Sequence, residues 1–219
     1  MFDYFYHGSI RKLVVAFGSL FDEIYISRKD SAGVEQKKIK VPISYGPKEK
    51  FFRKLQELSE TSREAVENIL PRIGFEITGM QYDPNRKVNT LNKSFGVRTE
   101  TGKTAAFSYS EVPYNISFNL NVMTRNIDDG YQILEQIVPY FTPDFTVSMN
   151  FTEIDRKVDV PIVLTSIMST EDYEGDLETR RMVTHTMSFE TKSYIFGPIK
   201  NTKMVREITL NFLDLDGLT

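Results

Sequence analysis

The chain has 219 residues, a formal net charge of −3, 40% hydrophobic and 26% charged residues, and neither Cys nor Trp. These values fit a globular chain with a sizeable core, and they argue against general disorder or a dedicated nucleic-acid binder, which normally carries a basic excess. The lack of Cys excludes disulfides, thiolate metal sites and a cysteine nucleophile, and it suits a reducing compartment.

At the N-terminus, MFDYFYHGSIRKL carries no basic segment followed by an apolar run, so no export signal is expected. No stretch approaches the ~20 apolar residues of a membrane helix. Residues 9–22 predict a helix with Ser9 as N-cap and Ile10, Leu13, Val14, Phe17, Leu20 and Phe21 on one face. Two β-rich runs follow around Asp30-Ser31-Ala32-Gly33, the signature of a hairpin. A second helix starts after Pro47, with Phe51, Phe52, Leu55 and Leu58 on its apolar side, and a shorter one is expected from Ser62 to Leu70.

Residues 73–82 predict a strand, and residues 84–104 a long loop. That loop carries Arg86, Lys87, Lys93, Arg98 and Lys103 against the single acid Glu100, with Phe95 as a potential anchor. Long loops in compact domains are usually functional or disordered, so these residues are candidates for contact with an acidic partner. The segment VPYNISFNLNVM (112–123) alternates strictly: Val112, Tyr114, Ile116, Phe118, Leu120 and Val122 against Asn115, Ser117, Asn119 and Asn121. A half-buried strand is expected. A helix follows, for which Ile127, Tyr131, Leu134, Val138 and Phe141 are the expected buried face. The next strand, DFTVSMNFTEI, sets Phe145, Val147, Met149 and Phe151 against Thr146, Ser148, Asn150 and Thr152. Two more strands are predicted at about 157–168 and 179–196, joined by an acidic turn, and a last one at about 203–213.

The fold class this implies is α+β: one domain over 1–219, a mainly antiparallel twisted sheet with two to four helices on one face, and a basic loop at about 84–104. The opposite face is polar and uncharged. Asn119 and Ser148 are candidates there for contact with a neighbouring subunit, because such a face tolerates desolvation better than a charged one.

No arrangement of residues assembles into catalysis. Asp128 and Asp129 follow Asn126, so they fall in the first turn of a helix, where the dipole favours them. The acidic run Glu171, Asp172, Glu174, Asp176 and Glu178 is flanked by Arg180 and Arg181 and is expected to be a solvated turn. His7 and His185 lack metal-ligand spacing, and there is no P-loop, dinucleotide loop or nucleophile elbow. No catalytic, cofactor-binding or metal residue is therefore assigned. A hydrolase would need the acidic turn to converge with His185.

Four segments in order resemble the tail sheath stabiliser, or tail completion (tail terminator), family of T4-like contractile-tailed bacteriophages. They are MFDYFYHGSIRKL, VPISYGPKEKFFRKLQ, ENILPRIGFEITGMQYD and, most distinctively, TRNIDDGYQILEQIVPYFTPDF at 124–145. The C-terminal strands match more loosely. The resemblance implies a structural virion protein that forms a hexameric ring at the head-proximal end of the tail. The ring would cap the tube and sheath and present a docking surface to the neck. Its partners would be further copies of itself, the tail tube terminator, the sheath and the neck proteins. DNA would pass through it without sequence-specific contact, and assembly would take place in the host cytoplasm. A tail tube or baseplate subunit is the alternative structural role.

Overall fold

The strand at Val112–Thr124 (β7) forms the spine of the structure. Its alternation buries Ile116, Phe118, Leu120 and Val122 on one face, as the sequence pattern predicts. In the computed structural model, residues 4–29, 35–59, 70–97, 104–151, 156–173 and 181–203 are described. Strands dominate them, with three α-helices: α1 (Ser9–Ser19), α2 (Lys48–Ser59) and α3 (Ile127–Ile137). The remaining strands are β1 (Tyr25–Lys29), β2 (Glu35–Lys40), β3 (Ile43–Tyr45), β4 (Arg72–Tyr82), β5 (Lys93–Val97), β6 (Thr104–Tyr109), β8 (Asp144–Phe151), β9 (Arg156–Tyr173), β10 (Arg181–Ile195) and β11 (Lys200–Lys203). The expected helix from Ser62 and the bulk of the expected last strand lie outside the described residues.

The main sheet has the order β3-β4-β7-β10-β9-β8. Every neighbouring pair is antiparallel except β3 and β4. Strand β1 pairs with β2, the expected hairpin, and β11-β6-β5 form a third, small sheet. The fold is the expected α+β, mainly antiparallel arrangement.

Helix α1 lies on the apolar face through Leu13 and Phe17, both essentially inaccessible. The Phe17 ring stacks on Phe118 at 4.4 Å and meets Phe21, Phe75 and Phe189 at 5.1–5.5 Å. Much of the aromatic surplus is thus spent in the core. Offset and edge-on ring pairs add to the burial itself. Close approach of α1 depends on Gly18: a Cβ there would fall 2.8 Å from the Phe75 ring. The start of α1 differs from expectation. Gly8, at φ 64°, takes the N-cap position and accepts from Lys12 N–H at 2.8 Å, so Ser9 is already helical. Glycine reaches that left-handed conformation without steric cost.

Helix α3 also sits on the apolar face; of the expected stripe Leu134 and Phe141 pack against the core, but the rest is rotated. Ile133 and Ile137 are buried, whereas Tyr131 and Val138 are exposed. The cause is Gly130, which lies against the His185 ring so closely that a Cβ would overlap Nε2. That contact turns residues 130, 133 and 137 toward the sheet. Helix α2 differs from the one-face arrangement: its Phe51 packs over Gly74 and under Arg72, on the polar face. Gly74 lies directly opposite Asn121, and the lack of a side chain there leaves the space that Phe51 fills.

The paired acids occupy the first turn of α3, as expected. Asn126 has the extended N-cap conformation but makes no side-chain cap bond. Asp129 is buried and pairs with Arg28 of β1 at 3.5 Å, while Asp128 is exposed. Strand β1 is further tied to α3 by Gln136, which accepts from and donates to the Tyr25 backbone, and by Gln132, which accepts from Ser27 N–H.

Three substitutions have distinct expected effects on stability. Phe17→Ala should lose about 3–5 kcal/mol in urea unfolding, the range for large core aromatics. Asp129→Ala should lose roughly 0.5–2 kcal/mol through the helix terminus and its ion pair. Asp128→Ala should stay within about 0.5 kcal/mol, the usual range for a surface change. Equal losses for the two aspartates would contradict these separate roles.

Candidate functional site

Among the described residues, His185 is the titratable side chain held deepest in the sheet, 1% exposed. It faces the apolar side of β10, opposite Val122 of β7 and Ser169 of β9. Its Nδ1 lies 2.7 Å from Ser169 Oγ, and its Nε2 has no hydrogen-bond partner. Burial holds its pKa below the ordinary histidine value, partly offset by the Glu171 carboxylate. A Ser–His pair alone does not make a nucleophile, because catalysis needs a group orienting the second ring nitrogen. Here that nitrogen is packed against Gly130. Of the acidic run, Glu171 and Asp172 lie within β9, which continues to Tyr173 because β10 pairs with it up to Arg181. Residues 174–180 lie outside the described residues. Among the described residues no three metal-capable side chains gather.

The grooves are shallow. One of about 640 Å³ opens between β1 and α3 and is spanned by Gln132 and Gln136, the residues that zip these elements together. His185 is not among the residues that line it.

The basic segment is more ordered than the expected loop. Pro84–Arg86 form a 3-10 turn capped by Asp83, and Lys93–Val97 form β5, paired with β6. A hairpin partner supplied from residues 104–109 makes this strand, which is why its own weak apolar content did not announce it. Arg86 is a structural residue. It donates to Asp83 at 2.8 Å and to Asn115 Oδ1 at 2.5 Å, and stacks over Tyr194 at 5.2 Å. The guanidinium holds the Asp83 carboxyl below the usual carboxylate range. Lys87 is exposed, and exposed Lys93 lies over Phe107 and Tyr109 at 4.9 and 5.6 Å. Phe95 belongs to β5 opposite Phe107, and Arg98 and Lys103 lie outside the described residues.

On the polar face the asparagines form cross-strand bonds. Asn121 accepts from Thr186 at 2.9 Å, and Asn119 accepts from Ser188 at 3.1 Å. Asn121 is buried and Asn119 half-buried. Ser148, on β8, is exposed and donates to Asp159. Sequence patterning placed Asn119 and Ser148 on this face but could not show that each already has a partner within the subunit.

The buried histidine carries a pH signature. In the unfolded chain His185 takes up a proton near pH 6.5, whereas in the fold it resists protonation. Stability should therefore be flat above about pH 7 and fall as the pH drops through the mid-6 range, where the unfolded state binds more protons. His185→Gln should flatten that slope in urea midpoints measured between pH 7.5 and 5.5. An unchanged slope would contradict the assignment.

Residues 4–217 match the model of the T4-like virus Myoviridae tail sheath stabiliser family. The chain is also 35% identical over 211 residues to tail completion protein gp15 of Enterobacteria phage T4, covering 93% of this chain and 76% of that protein. A match that runs through every element of the main sheet, and not through one motif, identifies the whole fold: the chain belongs to the T4-like virus tail sheath stabiliser family.

Proposed function

We propose that this protein is a structural component of the virion tail that completes and stabilises it as a closed ring, a hexamer, at the head-proximal end. The observation that carries this reading is the family match across residues 4–217. The ring would cap the tail tube and sheath, receive the neck, and leave a central passage for DNA. It would do so without enzymatic activity: the Ser169–His185 pair has no orienting group, and its ring nitrogen is sealed by α3.

Exposed Lys87, before β5, and exposed Lys93, at its start, supply a basic surface for an acidic tail partner, and Phe95, Arg98 and Lys103 are further candidate contacts in the same stretch of sequence. Asn119 and Ser148 mark the polar sheet face as a second contact region; the face is not uncharged as expected, since Glu76 lies opposite Asn119 and Asp159 opposite Ser148.

Negative-stain microscopy and native mass measurement of the purified protein test the ring. Six-fold rings are expected, whereas open stacked tubes would favour a tube subunit, and a monomer with hydrolytic activity would favour an enzyme. Replacing Lys87 and Lys93 together by Glu should weaken capture of sheathed tails most at low salt, while rings still form. Arg86→Ala should instead lower the melting temperature of the subunit itself. If Arg86→Ala leaves melting unchanged, its place in the subunit's own packing is wrong.

A further inference from the structure

The main sheet is unfinished on both sides, and the two unfinished parts are complementary. On one side, β8 pairs only with residues 156–163 of β9. From Leu164 onward, β9 has no strand on its outer side among the described residues, and residues 165–171 are all exposed. On the other side, β3 covers only Ile73, Gly74 and Phe75 of β4. From Glu76 to Tyr82, β4 is likewise open among the described residues, and residues 78–82 are all exposed.

Both free edges begin at one level of the sheet. Leu164, Phe189, Phe118 and Ile77 form a single row across β9, β10, β7 and β4. The free half of β9 runs away from this row in one direction and the free half of β4 in the other. Each strand is also bulged where its free half begins: pairing skips Thr165 in β9 and Thr78 in β4.

Unpaired edges normally carry devices against association, such as Lys or Pro. Of such devices each free edge carries one bulge and one acid at an end, Glu171 or Glu76, whereas residues 164–170, LTSIMST, and 77–82, ITGMQY, contain no charged residue and no proline. They expose apolar side chains instead: Ile167 and Met168 on β9, Met80 and Tyr82 on β4. Strands β4 and β9 run in opposite directions within the sheet. A second copy that continued the sheet would therefore bring its β4 beside β9 antiparallel, as in most of the sheet.

We infer that the free half of β9 in one copy pairs with the free half of β4 in the next, joining the sheets of successive subunits edge to edge. The joint is a half-lap: β8 fills the half of β9 that the neighbour leaves, and β3 fills the corresponding half of β4. About seven residues on each side give roughly 23 Å of paired backbone at ~3.3 Å per residue. The apolar side chains on both faces add to the area this pairing buries, toward the ~1,000 Å² a stable interface requires. The outer edge of β8 has no such counterpart, and α1 lies against that strand. Each subunit is stepped along the strand direction relative to the last, so strands incline to the ring axis, as they do when sheets close into barrels. The joint is of the head-to-tail kind and rests on the ring reading.

The chain has no Cys, so introduced pairs report cleanly. Ser166, Ile167 or Met168 would be replaced by Cys, each combined in turn with Thr78→Cys, Met80→Cys or Gln81→Cys, and oxidised under mild conditions. At least one combination should give a ladder of cross-linked species ending at six, since a disulfide forms only where the Cα atoms approach within about 7 Å. Each single variant should remain uncross-linked. Met168→Lys should give a folded monomer by circular dichroism. Rings that persist while no pair cross-links would place the joint elsewhere and overturn it. Dimers from single variants would overturn it too, by showing a two-fold contact. A wild-type protein that stays monomeric at every concentration would instead refute the ring, and this joint with it.

Discussion

The stack of Phe17 on Phe118 is the contact on which the rest of the structure depends. It joins the first helix to the central strand of the main sheet across more than a hundred residues of chain, and three further phenylalanines close around it. With that face sealed, the apolar sides of β7 and β10 leave the solvent together. Their other side is mainly Asn, Ser and Thr, of which Thr186 bonds Asn121 and Ser188 bonds Asn119 across the strands. Burial of apolar area drives the first arrangement, and the cost of an unpaired buried polar group enforces the second. The outcome is a sheet whose two faces are settled by different forces, with the unpaired stretches of β4 and β9 left at its edges among the described residues.

Much of this architecture was legible in the sequence because period-two alternation is a direct readout of a half-buried strand. Residues 112–123 announce β7, and 9–22 announce α1. Where a single residue overrides the pattern, the sequence misleads. Gly130 reads as a weak point in a helix, yet its contact with His185 rotates α3 so that Tyr131 and Val138 face outward. Gly74 reads as a break in a strand, yet it is the seat of Phe51 and so fixes α2 on the polar face. Both effects are contacts between residues far apart in the chain, which no local pattern encodes.

The functional surface was harder to see for a related reason. A strand's edge is a property of its neighbours. The alternation of β9 gives no hint that β8 stops short of Leu164, nor that residues 169–173 extend the strand instead of forming a turn. Likewise, the charge of Arg86 suggested a free cation, whereas its geometry commits it to Asp83, Asn115 and Tyr194. The family assignment, by contrast, was carried by long ordered segments, above all 124–145, and it extends through the sheet that those segments build.

The central claim is that successive subunits complete one another's sheets, and hydrogen exchange tests it most directly. Exchange would be compared between the assembled oligomer and the dissociated, folded subunit. Amides in residues 164–171 and 76–82 should slow together on assembly, by tenfold or more, because both strands gain backbone partners in the same event. Exchange in these two stretches that is the same in both states, with protection gained elsewhere, would contradict the account.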